Sequence, residues 1–126
     1  MSVSLDHTII RAHDKLESAK FLSNLLGLEP PTLWGPFAIV KVGELSLDFV
    51  DTTDEIQSRH FAFKVSEPEF DEIFARIQSQ SIHYWADPSK NRPQEINHRD
   101  GGRGFYFYDP DGHFLEVLTR SYEINA

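Results

Sequence analysis

Apolar and polar residues alternate from Val3 to Ile10, the period of two that predicts a β-strand. The period then lengthens. Leu16, Ala19, Leu22, Leu25 and Leu26 form a helical stripe, opened by Asp14 as N-cap with Glu17 three residues on, and closed by Gly27. After Pro30 and Pro31 the alternation returns in two strands, Phe37–Val42 and Leu45–Val50, hinged at Gly43 and Glu44. The second half repeats this order. Arg59–Val65 reads as a strand. Ser66 with Glu69 is a second capping box, with Pro68 tolerated in the first turn, and Phe70, Ile73, Phe74 and Ile77 line one helical face. Strands are then predicted at Ile82–Trp85, Phe105–Tyr108 and Phe114–Thr119, the last two flanking the turn Asp109–Gly112.

The repeat places His7 and His60 at matching points of the two first strands, and Asp48 and Glu116 at matching points of the two last strands. Side chains alternate across a strand, so equivalent positions in a pseudo-symmetric pair can converge on one axis. The second half is the longer, and its excess falls in Ala86–Gly104, a polar stretch broken by Pro88, Pro93, Gly101 and Gly102. A loop of that length in a compact domain is usually functional or mobile.

His7, His60 and Glu116 all lie in apolar runs (LDHTII, RHFAFKV and FLEVL), where a polar side chain needs a partner. Two imidazoles and a carboxylate are the facial-triad donor set, which leaves positions open on a divalent metal. The absence of cysteine excludes disulfides and thiolate ligands, so any metal is held by nitrogen and oxygen. A formal charge of −8 argues against a nucleic-acid surface. No apolar stretch approaches the ~20 residues that span a bilayer, and no signal pattern opens the chain, so a cytoplasmic protein is expected.

With these residues in view, the chain resembles the vicinal oxygen chelate superfamily, which includes glyoxalase I, extradiol dioxygenases, fosfomycin-resistance thiol transferases and bleomycin-resistance proteins. The match runs from about Val3 to Arg120, and its strongest part is the segment GRGFYFYDPDGHFLE from Gly102 to Glu116. The resemblance implies an α+β fold across residues 1–126. It would contain two tandem βαβββ modules, about 3–52 and 58–120, whose curved mixed sheets form a cup. It implies His7, His60 and Glu116 as metal ligands, with Asp48 where glyoxalase I has a fourth. Asp48 is one methylene shorter than the usual glutamate and is expected beside the metal rather than on it. The thiol transferases carry a threonine where Ile9 stands, and a basic tail where this chain runs from Glu116 only to Ala126.

An odd loop between the last two strands would put Tyr106 on the face of Glu116, and an even loop would put Phe105 and Phe107 there. The resemblance implies Tyr106, touching substrate and serving catalysis with Glu116. Trp34, Phe37, Phe49 and Trp85 are candidates for an apolar wall. Arg103 is a candidate for a substrate anion, His98 reaches the cup mouth from the long loop, and His113 is structural. The expected function is a metal-dependent small-molecule enzyme, dioxygenase-like or lyase/isomerase-like, with Fe, Mn, Ni, Co or Zn chelating vicinal substrate oxygens. It is expected to be a homodimer with sites formed by paired modules. The alternative is a drug- or metabolite-binding resistance protein without turnover.

Overall fold

The computed structural model describes residues 2–124, so the outermost positions of the expected 1–126 span lie outside the described residues. The chain divides into two compact units, Met1–Gln57 and Ser58–Ala126. Both are α+β.

The first unit contains β1 (His7–Ala12), α1 (Lys15–Leu26), β2 (Thr32–Trp34), β3 (Phe37–Val42) and β4 (Leu45–Asp51). The sheet order is β1-β4-β3-β2, with β1 parallel to β4 and the other pairs antiparallel. Asp14 caps α1 by accepting from the Glu17 N–H, and Gly27 closes it in the left-handed conformation at φ 71°. Ile10, Ala12, Ala38, Val40, Leu47 and Phe49 occupy one face of the sheet, where they are buried and α1 packs against β3 and β4. Phe49 therefore belongs to the core and not to an apolar pocket wall. The strand begins at His7 rather than at Val3. Its partner β4 starts at Leu45, directly after the Gly43 turn, so Val3 and Leu5 have no ladder to join and are exposed.

The second unit contains β5 (His60–Lys64), α2 (Glu67–Ser79), β6 (Gly104–Tyr108) and β7 (Phe114–Leu118), in the sheet order β5-β7-β6. Ser66 and Glu69 form the full reciprocal capping box of α2. Phe70 and Phe74 of α2 pack against Phe105 and Tyr84, with ring centroids 5.2 to 5.9 Å apart. The strand expected at Ile82–Trp85 shrinks to a single bridge residue. Trp85 pairs with Tyr106 on one side and Pro93 on the other. The chain turns immediately afterwards because the Asp87 carboxylate accepts the backbone N–H groups of Asn91 and Arg92. Asn97 then ties the long loop down, donating from Nδ2 to the Ala86 carbonyl at 2.9 Å and pairing its backbone with Gly104.

The register repeats across the two units. His7 pairs with Ser46 and His60 with Phe114, and in each case the acid, Asp48 or Glu116, stands two residues further along the last strand.

Candidate metal centre

Five residues separate β6 from β7, so Tyr106 lies directly opposite Glu116 and Phe105 opposite Val117. One face of this sheet thus carries Trp85, Tyr106 and Glu116 in one row, and Tyr108, Phe114 and His60 in the next. The other face belongs to α2.

His60 and Glu116 meet on the first of these faces. The His60 Nδ1 lies 2.8 Å from the Phe114 carbonyl oxygen, an acceptor only, so Nδ1 carries a proton. In the neutral ring Nε2 is then bare, and it lies 3.1 Å from Glu116 Oε1. Two lone pairs facing each other at that distance call for a proton or a cation between them. A backbone acceptor on the far nitrogen is the usual way a metal-ligating histidine is oriented.

His7 shows the same arrangement in the first unit. Its Nδ1 lies 2.7 Å from Asp6 Oδ2, which leaves Nε2 as the bare nitrogen of the neutral ring. That hydrogen bond, aided by the charges of Asp48 and Asp6 and opposed by desolvation, raises the imidazole pKa above its ordinary value. Asp48 is buried on the same sheet face and accepts from the Ser46 hydroxyl at 2.9 Å through Oδ1. Ile9, Trp34, Phe37 and Ile39 share this face, and Ile9 and Trp34 are 53% and 67% exposed.

Among the described residues no three His, Asp or Glu side chains gather into one metal-holding group. Of the three predicted ligands, His60 and Glu116 meet in the second unit, while His7 lies in the first, on the sheet face that also carries Asp48. Their donor chemistry fits a divalent ion: imidazole nitrogens with the correct atom bare, and carboxylates held by hydrogen bonds.

Two residues that sequence reasoning missed complete the second pair. The Tyr122 hydroxyl donates to Glu116 Oε2 and lies 2.8 Å from the Tyr106 hydroxyl. Arg99 Nη1 donates to both phenol oxygens at 3.1 Å. Desolvation, then the hydrogen bond to Glu116, pushes the Tyr122 pKa far upward and keeps it a neutral phenol. Neither residue sits in a periodic run. The length of the loop marks it as functional or mobile and His98 is its candidate, but the contact to Tyr106 and Tyr122 is made by Arg99, while His98 beside it is exposed.

Arg103 requires a correction. It lies in register with Thr119 on the helix face, where its guanidinium binds Glu67 at 2.7 Å and Asp71 at 2.8 Å and covers the Phe70 ring. Its donors are committed to α2, away from Glu116. His113 is structural: it is buried, and its Nδ1 accepts from the Arg59 N–H.

No protein-family model matches the chain. The structure superposes on Oxidase ChaP-H2 with a TM-score of 0.95 and 53% identity, covering 100% of both chains. Oxidase ChaP-H1 gives the same TM-score at 50% identity, over 98% of this chain and 100% of that one. Glutathione transferase FosA from Serratia marcescens is 29% identical across 96% of this chain and 84% of its own length. Fold, repeat and relatives agree: the chain belongs to the vicinal oxygen chelate superfamily, and the relatives it matches are enzymes of that superfamily.

Proposed function

We propose that this chain is a metal-dependent oxidase of a small aromatic molecule bearing two adjacent oxygens. The observation that carries the reading is the placement of His60, with Nδ1 on the Phe114 carbonyl and Nε2 3.1 Å from Glu116 Oε1. The full-length similarity to two oxidases supports the reaction class. When bound, the divalent ion (Fe, Mn, Co, Ni or Zn) supplies Lewis acidity that favours the deprotonated form of the substrate oxygens.

This chain's own residues hold and orient. Phe114 stacks on Tyr106 at 5.5 Å and 15°, with Tyr108 and Trp85 continuing an aromatic wall suited to a flat ring. Ile82, His83, Trp85 and Tyr108 border a hollow of about 470 Å³ beside it. Tyr106 and Arg99 place hydrogen-bonding groups next to Glu116. In the simplest balanced reaction, a vicinal enediol or catechol gives up two hydrogens to become the dicarbonyl, and dioxygen takes them to become hydrogen peroxide.

The site is completed by bringing His7 to His60 and Glu116, and we assign that to module pairing in a cytoplasmic homodimer. The exposed Ile9 and Trp34 on the His7 face are the apolar surface such pairing would cover. A second reading, thiol transfer, is favoured by the FosA similarity at 29% identity and disfavoured by the higher identity, 50% and 53%, to the two oxidases.

The test is metal analysis of protein purified without chelator, followed by oxygen uptake with catechols and hydroxyquinones and a thiol-adduct screen with epoxides. One metal per chain is expected, lost in His7→Ala, His60→Ala and Glu116→Ala. Normal metal content in any two of these variants would end the triad assignment. Adduct formation without oxygen uptake would select the transferase reading.

A further inference from the structure

A carboxylate can bind a metal through one oxygen or through two, and the choice decides how many positions remain for substrate. Glu116 is 2% exposed, and its two oxygens have different surroundings. Oε1 faces His60 Nε2, whereas Oε2 accepts the Tyr122 hydroxyl. The protons behind Oε2 can be counted. Tyr122 has one hydroxyl proton, and Glu116 takes it. The 2.8 Å contact between the phenols must then use the Tyr106 proton, with the Tyr122 oxygen accepting. Arg99 Nη1 has two protons and directs one at each phenol oxygen. Every donor in the chain is oriented toward Oε2.

The segment that carries Tyr122 is also tied down. The Arg99 guanidinium lies 5.2 Å from the centre of the Tyr122 ring, and the Asp100 carboxylate accepts the Glu123 N–H at 3.1 Å. The strap after β7 is therefore fastened to the long loop at Tyr122 and at the residue that follows it.

We infer that Tyr122 is a positioning residue that occupies Oε2 of Glu116, so that the carboxylate offers the metal only Oε1 and one more position stays open for substrate. The inference rests on the metal-binding reading above. Its consequence is a coordination count. Three ligands contributing one atom each leave three positions on a six-coordinate ion. A carboxylate released to bind through both oxygens leaves two.

Water-proton relaxation by Mn²⁺ reads that count without any turnover. Metal-free protein is titrated with Mn²⁺, and the relaxivity per bound ion is compared between wild type and variants. Tyr122→Phe keeps the ring and removes the hydroxyl. It should still bind one Mn²⁺ per chain, with relaxivity lower by about one third as one of three waters is displaced. Tyr106→Phe leaves the Tyr122–Glu116 hydrogen bond in place and should match wild type. A chain ending at Arg120 removes the exposed strap and keeps every strand, so it should behave as Tyr122→Phe does even if that variant misfolds. Stoichiometric binding with equal relaxivity in wild type, Tyr122→Phe and the shortened chain overturns the inference and leaves the metal reading standing. Wild-type protein that binds no Mn²⁺, or binds it without needing His60, overturns both.

Discussion

Asn97 holds the long loop against the sheet, and Asn97→Ala measures how far the candidate site depends on that loop. The side chain is 9% exposed, its Nδ2 donates to the Ala86 carbonyl, and its Oδ1 accepts the Arg99 N–H at 3.2 Å. Ala86 is fully buried, so its carbonyl would lose a partner where water has little access. A buried acceptor left unsatisfied costs about 1–3 kcal/mol, and the loss of the second, more accessible bond adds roughly 0.5–1 kcal/mol. The expected destabilisation is about 1.5–4 kcal/mol, or a fall in melting temperature of roughly 5–15 °C for a chain of this size. Asn97→Asp should be at least as damaging, because it turns a donor facing a carbonyl into an acceptor facing a carbonyl. The assay is urea unfolding, read together with hydrogen exchange at the Ala86, Gln94 and Gly104 amides, whose backbone bonds cross this loop. Exchange there should accelerate ahead of β7. A loss below about 0.5 kcal/mol with unchanged exchange would refute the reasoning, since it would mean that water reaches the Ala86 carbonyl freely.

Asp48→Ala should keep most metal affinity, because Asp48 is held by Ser46, and metal loss as complete as in Glu116→Ala would establish a four-ligand site instead. Arg103→Met should lower the melting temperature by a few degrees in a salt-sensitive way and leave KM within about twofold, as expected for an exposed clamp on α2; a tenfold rise in KM would return Arg103 to the substrate. Mixing His7→Ala with Glu116→Ala protein should restore part of the metal binding, since a shared-site heterodimer has one site with both lesions and one intact; no recovery after proven subunit exchange would place each triad within one chain. Backbone and side-chain bonds from Ser66 hold the Glu69 carboxyl below its ordinary value, and the Asn91 and Arg92 amides do the same for Asp87. Their stabilisation is full above the ordinary carboxylate range and is lost as pH falls through the lowered values, so Glu69→Gln with Asp87→Asn should flatten the acid limb of melting temperature against pH; an unchanged limb would count against it.

The elements that were legible in the sequence are those whose signal is local. Both helices begin at the caps that Asp14 and Ser66 announce, because the side-chain oxygen and the N–H it satisfies are only three residues apart. Loop parity leaves Tyr106 and the Phe105–Phe107 pair both open, and the resemblance favours Tyr106, which the five-residue connection places opposite Glu116. Strand limits depend on a partner elsewhere, and there the alternation misled: Val3 and Leu5 have no facing strand, and the Asp87 turn cuts Ile82–Trp85 to one residue. Arg103 misled for a related reason. It stands in the signature segment, but strand parity turns it toward α2, whose acids Glu67 and Asp71 are more than thirty positions away in sequence. Tyr122 and Arg99 meet through a tail and a loop, neither with a period to read.

The two halves show what duplication preserves. In both, the first strand runs parallel to the last, and an acid stands two residues beyond the partner of the histidine. That offset is a property of the backbone ladder, so it survives when side chains change. The surroundings of each acid have diverged. Beside Asp48 stands Ser46, which donates to it from the same strand; the matching position beside Glu116 is Phe114, which cannot. Glu116 instead receives its hydrogen bond from Tyr122, beyond the repeat, and keeps Oε1 directed at His60. The longer side chain takes its hydrogen-bond partner from outside the repeat, and the shorter one is satisfied within its own strand. Asp48 and Glu116, at equivalent positions, thus differ by one methylene group and the identity of one neighbour, which is why Asp48→Glu alone, with Ser46 still in place, should not recreate the Glu116 arrangement.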